Sequence, residues 1–251
     1  MGDSVDKLKD AITVKNLHIC YRNIKKSSIR KNLFKKKQGK VELFEAVKGV
    51  SFSVQEGKIV GIIGKNGSGK STLLRAIAGI FSADKGTIDL HSKTISLLSI
   101  GVGFQPKLTG YENIFLSGML LGFSEQEIKE RVEDIIKFSE LGKFIHKPVR
   151  TYSSGMYSKL AFSITAILET DILLIDEVFS VGDVKFKQKS YDKMKELISD
   201  ETRTVVIVSH SMNALKELCD EVIWLNEGVI MDQGAPDEII PKYEEYMKNL
   251  D

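Results

Sequence analysis

The segment Gly64-Lys65-Asn66-Gly67-Ser68-Gly69-Lys70-Ser71 decides the fold of this 251-residue chain. It has the spacing Gly-x-x-x-x-Gly-Lys-Ser, it follows a short apolar stretch at Lys58–Ile63 that predicts a strand, and a predicted helix follows it. In such a connection the glycines let backbone N–H groups surround phosphate oxygens, and the helix N-terminus adds positive partial charge. The segment therefore predicts a phosphate loop, in which Lys70 reaches the β- and γ-phosphates and Ser71 ligates Mg²⁺.

Two carboxylates follow another apolar stretch farther along the chain. Ile172–Ile175 predicts a buried strand, and Asp176 and Glu177 come directly after it. Because ligands bind at the carboxyl ends of strands in open parallel sheets, both side chains are expected near the phosphate loop. Asp176 suits the Mg²⁺ shell, and Glu177 suits polarising the attacking water. His210 follows the predicted strand Thr204–Ser209, and we interpret it as a γ-phosphate contact, with a structural histidine as the alternative.

Strands and helices alternate along most of the chain. Apolar patterning predicts strands at Ile12–Tyr21, Phe44–Val54, Gly86–Leu90, Thr94–Leu98 and Glu221–Leu225, and helices at Thr72–Ala78, Lys185–Ile198 and Ser211–Leu218. This alternation is typical of a mainly parallel sheet covered by helices on both faces, which places the chain in the α/β class.

Residues 106–170 are predicted to form a helical subdomain within a single domain that spans residues 1–251. Helical periodicity is found at Asn113–Leu121, Glu125–Phe138 and Met156–Leu168. In the second of these stretches one face is apolar and the other is charged; the apolar members are Ile128, Val132, Ile135 and Ile136.

The composition excludes membrane-spanning and secreted classes. No uninterrupted apolar run approaches the ~20 residues needed to cross a bilayer, and Met1–Asp10 lacks the apolar core of a secretory signal. We therefore expect an intracellular chain that reaches a membrane only through a partner. The only cysteines are Cys20 and Cys219, each beside apolar residues, which predicts buried free thiols.

Basic residues concentrate in one segment, which we call the basic insert (residues 22–40). It holds nine of the 36 lysines and arginines and no acidic residue, although the net charge of the whole chain is only +2. A solvated loop, a nucleic-acid contact and a short helix at the membrane surface are all open interpretations. The apolar members of such a helix would be Ile24, Ile29, Leu33 and Phe34. Each basic residue near an anionic lipid surface contributes about 1 kcal/mol, so a cluster of them would matter.

A short peptide at the head of a predicted helix carries a family resemblance. Tyr152-Ser153-Ser154-Gly155-Met156 resembles the signature peptide of the ATP-binding cassette (ABC) ATPases, and it lies between the phosphate loop and the two carboxylates, as in that family. The resemblance covers nearly the whole chain apart from the basic insert and the last few residues. It implies a P-loop NTPase fold of ABC type, with a RecA-like mainly parallel sheet core, an antiparallel β subdomain and a helical subdomain.

The resemblance also implies roles for individual residues. Tyr21 would stack on adenine, and Gln105 would connect the γ-phosphate and Mg²⁺ to the helical subdomain. Ser153 and Gly155 would contact ATP held by a second copy of the chain, which implies a head-to-tail dimer around two ATP molecules. The residues expected to bind ATP are Tyr21, Gly64, Lys65, Asn66, Gly67, Ser68, Gly69, Lys70, Ser71, Thr72, Ser153, Gly155 and Asp183. The residues expected to bind Mg²⁺ are Ser71, Gln105 and Asp176. The residues expected to act in catalysis are Lys70, Gln105, Glu177 and His210.

Longer strings narrow the resemblance to one branch of that family. Leu97–Ile114, Pro148–Met156 and Asp176–Asp183 are similar to segments of exporters of bacterial surface polysaccharides and teichoic acids. Members of this branch pair with an integral membrane permease in a 2+2 assembly and move lipid-linked polymers. The resemblance therefore implies a peripheral ATPase at the cytoplasmic face of the cell membrane, with no nucleic-acid partner. Ser154 and Met156 depart from the common signature, but the branch shares this variant.

Other functions fit the sequence less well. A non-transport ABC-type ATPase acting on ribosomes or DNA usually carries two cassettes or a long coiled-coil insertion, whereas this chain has one phosphate loop. A substrate-phosphorylating P-loop kinase is disfavoured by the signature peptide. Some O-antigen exporters carry a C-terminal carbohydrate-binding domain, and we expect none here because the chain ends at Asp251. Teichoic acid, O-antigen and rhamnan-type polymers all remain open as cargo.

Overall fold

A computed structural model describes residues 9–23, 42–98, 103–176 and 183–249. The strands are β1 (Asp10–Asn23), β2 (Glu42–Gln55), β3 (Ile59–Ile63), β4 (Lys85–Asp89), β5 (Ile95–Leu98), β6 (Ile172–Asp176), β7 (Thr204–Val208), β8 (Glu221–Asn226) and β9 (Val229–Gly234). The helices are α1 (Lys70–Ile77), α2 (Gly110–Leu120), α3 (Glu125–Ser139), α4 (Ser154–Leu168), α5 (Val184–Ile198), α6 (Met212–Leu218) and α7 (Pro236–Lys248). The basic insert lies almost entirely outside the described residues, and so does Glu177.

The larger sheet has six strands in the order β5-β6-β7-β3-β8-β9. The first five strands are parallel, and β9 pairs antiparallel with β8. Every residue of β7 is buried, as expected for a central strand of a sheet that is covered on both faces. The mainly parallel sheet predicted from the alternation of strands and helices is therefore present.

A second sheet of three antiparallel strands, in the order β2-β1-β4, packs beside the first. Residues Leu17 of β1 and Val50 of β2 are in register and buried. They share one apolar cluster with Leu73 and Leu74 of α1 and with Ile62 of β3. This cluster fixes α1, and with it the phosphate loop, between the two sheets.

Helices α2, α3 and α4 share a separate apolar cluster, in which Ile128, Val132 and Ile135 form the buried face of α3. The apolar face of α3 that the periodicity predicts is therefore the face that packs against α2 and α4. Helix α2 begins at Gly110, three residues before the predicted start. The reason is a capping box in which Thr109 and Glu112 satisfy each other's backbone N–H groups.

The last two elements, β9 and α7, were not predicted from the sequence. Helix α7 has a proline at its first turn, which is a common helix start, and it buries Ile239, Ile240 and Tyr243. The ring of Trp224 lies 5.7 Å from that of Tyr243. The residues after β8 and β9 therefore form a helix, α7, which covers one face of the larger sheet.

The two cysteines differ in exposure. Cys219 is buried as predicted, and burial raises the pKa of its thiol to about 12. The expectation of burial was wrong for Cys20, which is half-exposed. The reason is that β4 pairs with β1 only as far as His18, so the later part of β1 has β2 as its sheet neighbour. Within the described ranges, no helix is long and apolar enough to cross a membrane.

Candidate functional site

Three neighbouring strands bring the predicted functional residues to one end of the larger sheet. Val208, the last residue of β7, is in register with Ile62 of β3 and with Asp176 of β6. The phosphate loop begins directly after β3, and His210 lies two residues beyond Val208. The register alone therefore gathers the phosphate loop, Asp176 and His210 at the carboxyl ends of three strands, which is where parallel sheets bind ligands.

The glycines of the phosphate loop meet two separate steric demands. Gly64 has φ 152°, and a Cβ there would collide with the carbonyl oxygen of Leu225 in β8. Gly69 has φ 105°, and a Cβ there would collide with the carbonyl oxygen of Ala46 in β2. Both positions combine positive φ with a close backbone approach, so only glycine satisfies them. The phosphate loop is thus in close contact with a strand of each sheet.

The turn between β8 and β9 supports the phosphate loop from the side. The Gly228 N–H donates to the Ser68 carbonyl oxygen at 2.9 Å. The Lys65 ammonium donates to a carboxylate oxygen of Glu227 at 3.1 Å, and this hydrogen bond, together with the positive charge of Lys65, lowers the pKa of Glu227. The sequence analysis missed both turn residues, although Asn226-Glu227-Gly228 has the composition of a tight turn.

Lys70 is oriented inward by the loop that contains it. Its side chain is buried, and Nζ donates to the carbonyl oxygens of Gly64 at 2.7 Å and Lys65 at 3.1 Å. Burial lowers the pKa of Lys70, while the negative charge of Asp176 acts in the opposite direction. Ser68 Oγ is also buried and makes no hydrogen bond within the described part of the chain. A buried cation, an unsatisfied hydroxyl and a helix N-terminus without an acidic residue in its first turn are the features expected of an anion-binding site.

Ser71 and Asp176 contact each other across 105 positions of sequence. Ser71 Oγ donates to Asp176 Oδ1 at 3.2 Å. Both are hard oxygen ligands of the kind that Mg²⁺ prefers, so the two residues fit the predicted metal role. Glu177, the next residue in the chain, lies outside the described residues, and its predicted role as a base stays a prediction.

His210 lies close enough to Lys70 for the two side chains to interact electrostatically. Partial burial lowers the pKa of His210 below its ordinary value, and the positive charge of Lys70 lowers it further. The lowered pKa favours the neutral imidazole at pH 7. A neutral histidine can donate or accept a hydrogen bond at a phosphate oxygen.

We predict that the imidazole of His210 titrates below its ordinary pKa, and that Lys70→Ala moves this pKa upward. In Lys70→Ala the pKa of His210 should still lie below its ordinary value, but by less than in the wild type. The reason is that burial, the larger cause of the lowering, remains in the variant. NMR titration of the imidazole signals tests this, with His210→Gln identifying the resonance. Lys65→Ala is the matched control, since it removes a charge from the same loop. The same pKa in the wild type and in Lys70→Ala would contradict the inferred proximity.

Tyr21 lies against the start of α1. Its hydroxyl is 3.0 Å from Thr72 Oγ1, and its ring packs edge-on against Phe81 with centroids 6.0 Å apart. The side chain remains 40% exposed. One face of an aromatic ring beside the phosphate loop is thus available, in keeping with the predicted contact to a base.

Gln105 is exposed, and its backbone is fixed by a buried residue that the sequence analysis did not single out. The Gln105 N–H donates to Asn113 Oδ1 at 2.7 Å, and Asn113 Nδ2 donates back to the Gln105 carbonyl oxygen at 3.2 Å. Asn113 is completely buried and also donates to the carbonyl oxygens of Leu108 and Thr109. It therefore shapes the loop that presents Gln105.

The signature residues, Ser153 and Gly155, lie at the start of α4 and are not among the residues that contact Lys70. Ser153 is exposed and caps α4, since its Oγ accepts from the Met156 N–H at 3.2 Å. Among the described residues, and apart from the backbone of α4 itself, a Cβ on Gly155 would meet only the Ser153 hydroxyl, at 3.9 Å, so the described surface above this turn is open. Asp183 caps α5 and pairs with Lys159 of α4 at 2.6 Å, which lowers its pKa to about 2.

Comparisons with known proteins agree with this geometry. A family model described as ABC transporter matches residues 47–180. The O-antigen export system ATP-binding protein RfbB of Myxococcus xanthus is 40% identical over 225 residues, covering 90% of this chain and 51% of that protein. The teichoic acids export ATP-binding protein TagH of Lactococcus lactis is 46% identical over 205 residues, covering 82% of this chain and 44% of that protein. The chain thus spans about half the length of these two relatives.

A solved structure supports the fold class. The dimeric ATP-binding cassette MJ0796, in a post-hydrolysis state bound to ADP and Pi, superimposes with a TM-score of 0.64 at 24% identity, covering 90% of this chain and 98% of that one. At this identity the likeness concerns the fold alone, and it confirms the fold class predicted from the sequence.

Proposed function

The chain belongs to the ABC transporter family, and from this premise we propose that it binds and hydrolyses ATP to drive export of a lipid-linked cell-surface polysaccharide. The observation that carries the proposal is the convergence of Lys70, the Ser71–Asp176 pair and His210 at one end of the parallel sheet. The names of the relatives, O-antigen and teichoic acid export proteins, support the class of cargo.

ATP would bind with its phosphates in the loop and its base against Tyr21. The Lys70 ammonium, which donates to Gly64 and Lys65 carbonyl oxygens, would exchange these partners for phosphate oxygens. The new bonds would join the ammonium to negatively charged oxygens instead of neutral carbonyl oxygens, and this added attraction between opposite charges favours the triphosphate. The backbone N–H groups of residues 65–72 would complete the cradle.

Ser71 and Asp176 would hold Mg²⁺, with Gln105 as a further ligand. When bound, Mg²⁺ neutralises part of the phosphate charge. Burial lowers the pKa of Lys70, and the negative charge of Asp176 opposes part of this lowering.

Hydrolysis requires a base that orients water and donors that stabilise charge on the γ-phosphate. Glu177 follows Asp176 directly in the chain and would act on the water. Neutral His210 and cationic Lys70 would contact the γ-phosphate oxygens, where charge develops. As the water oxygen attacks the γ-phosphorus, its proton would pass to the Glu177 carboxylate. The bond from the γ-phosphorus to the bridging oxygen would break, releasing ADP and phosphate.

A second copy of the chain would complete each site. Ser153 is exposed and Gly155 half-buried at the N-terminus of α4, which is oriented to receive an anion from outside the chain. A head-to-tail dimer would bring this turn over the phosphate loop of the partner, with Asp183 near the interface. ATP would then act as an intermolecular link whose hydrolysis reopens the dimer.

The membrane part of the exporter would be a separate permease in a 2+2 assembly. We assign the docking surface to the helical subdomain of residues 106–170, since Asn113 connects the Gln105 loop to α2 and could transmit dimer closure. The chain would act at the cytoplasmic face of the membrane as a peripheral subunit, and the basic insert would lie near anionic lipid or cargo.

Depletion of the protein in its own cells tests this proposal. We expect lipid-linked glycan to accumulate in the cytoplasmic leaflet, measured by extraction and mass spectrometry. Wild-type protein should clear the glycan, and Lys70→Ala at the same expression level should not. Unchanged glycan with a ribosome or DNA phenotype would instead support a non-transport ATPase.

A further inference from the structure

We propose that Phe44 is a second base-contacting residue, which extends the aromatic surface of Tyr21 and contributes to the preference for a nucleotide over a bare polyphosphate. This inference rests on the proposed binding of ATP. No sequence motif indicates a role for Phe44. The pairing of β1 with β2 indicates one.

The strand register puts Phe44 beside Tyr21. Tyr21 of β1 and Phe44 of β2 are directly opposed in the antiparallel pair. Opposed residues project from the same face of a sheet, with Cβ atoms about 4.5–5.5 Å apart. Leu43 directly precedes Phe44 in β2, and successive residues of a strand project from opposite faces of the sheet. Phe44 therefore shares the face of Tyr21, and Leu43 does not.

Both strands approach the phosphate loop at this point. Tyr21 contacts Thr72 through its hydroxyl at 3.0 Å, and the Ala46 carbonyl packs directly on Gly69. Phe44 precedes Ala46 by two residues, about 6.6 Å along the strand. We infer that this position brings Phe44 within reach of the base of a nucleotide whose phosphates lie in the loop.

The exposure of the three rings indicates where a base would bind. Phe81 packs against Tyr21 from one side, with the ring planes at 89°. Phe44 is 58% exposed, compared with 40% for Tyr21. An exposed phenylalanine next to an exposed tyrosine offers apolar area that a flat, π-rich base can cover. Stacking of this kind recognises the aromatic ring of a base rather than its hydrogen-bonding pattern, so it distinguishes a nucleotide from a polyphosphate that has no base.

The test compares ADP with pyrophosphate, which lacks the base and ribose. Dissociation constants for both, with Mg²⁺, are measured by calorimetry on the full chain. We expect Phe44→Ala to weaken ADP binding about tenfold and to leave pyrophosphate binding within about twofold. Phe44→Trp should restore ADP binding. Leu43→Ala is the matched control, because it removes a neighbouring exposed apolar side chain from the opposite face, and ADP binding should stay within about twofold.

The outcomes separate this inference from the proposed function. If wild type binds ADP and Phe44→Ala binds it equally well, Phe44 makes no base contact and the inference fails alone. Equal losses for ADP and pyrophosphate would also overturn it, because they would show a general disturbance of the phosphate loop. If the wild type binds neither ligand, the proposed ATP binding itself is wrong.

Discussion

Lys70→Ala is expected to weaken ATP binding roughly 10- to 100-fold. The ammonium is buried, and its hydrogen bonds to the Gly64 and Lys65 carbonyl oxygens position it inside the loop. Hydrogen bonds to charged groups contribute about 1.5–3 kcal/mol each, and every 1.4 kcal/mol corresponds to a tenfold change in affinity. Equilibrium binding of a fluorescent ATP analogue to the purified chain measures the effect.

Lys65→Ala is the control for this variant. Lys65 belongs to the same loop and carries the same charge, but its ammonium is paired with Glu227 on the surface. Exposed ion pairs contribute little, so we expect a change in ATP affinity of less than about threefold. Equal losses in the two variants would mean that net charge alone attracts the nucleotide, and the specific role of Lys70 would be wrong. Thermal unfolding of both variants controls for damage to the loop.

Glu177→Gln is expected to abolish turnover while leaving ATP binding close to that of the wild type. Loss of a general base typically costs about 10²- to 10⁴-fold in rate, and an amide of the same shape cannot take the proton. Single-turnover hydrolysis under excess enzyme measures the chemical step without the contribution of product release. The variant should also accumulate as an ATP-bound dimer, detectable by size-exclusion chromatography.

Asp176→Asn separates the roles of the two adjacent carboxylates. Asp176 contacts Ser71 Oγ, so its replacement is expected to weaken Mg²⁺-dependent ATP binding rather than to block turnover alone. Hydrolysis at the wild-type rate in Glu177→Gln would exclude this residue as the base. The same kinetic defect in Asp176→Asn and Glu177→Gln would contradict the assignment of Asp176 to metal binding and Glu177 to base catalysis.

The support around the phosphate loop explains why the loop tolerates little change. Gly64 packs on β8, Gly69 packs on β2, and Gly228 donates to Ser68. The loop is thus fixed from three directions before any ligand arrives. A preorganised cradle loses little conformational entropy on binding, which favours affinity.

The sequence by itself determined the local features of this protein. The spacing of Gly64–Ser71 specified a strand, a phosphate loop and a helix, because positive φ angles and a free helix N-terminus are properties of a few consecutive residues. The periodicity of α3 identified its buried face for the same reason. Tyr152–Met156 identified the family, since its resemblance requires only contiguous residues.

The sequence placed Asp176 near the phosphate loop, but only the tertiary structure decided which atoms of distant residues make contact. Ser71 and Asp176 are 105 positions apart, and they meet because β3, β6 and β7 share one register. The pairing of Tyr21 with Phe44 and the burial of Asn113 likewise depend on the chain around them. The physical reason is that strand register is selected by the apolar surface that the whole sheet and its covering helices bury together. No local pattern carries that information, so the contacts of the site had to come from the folded chain.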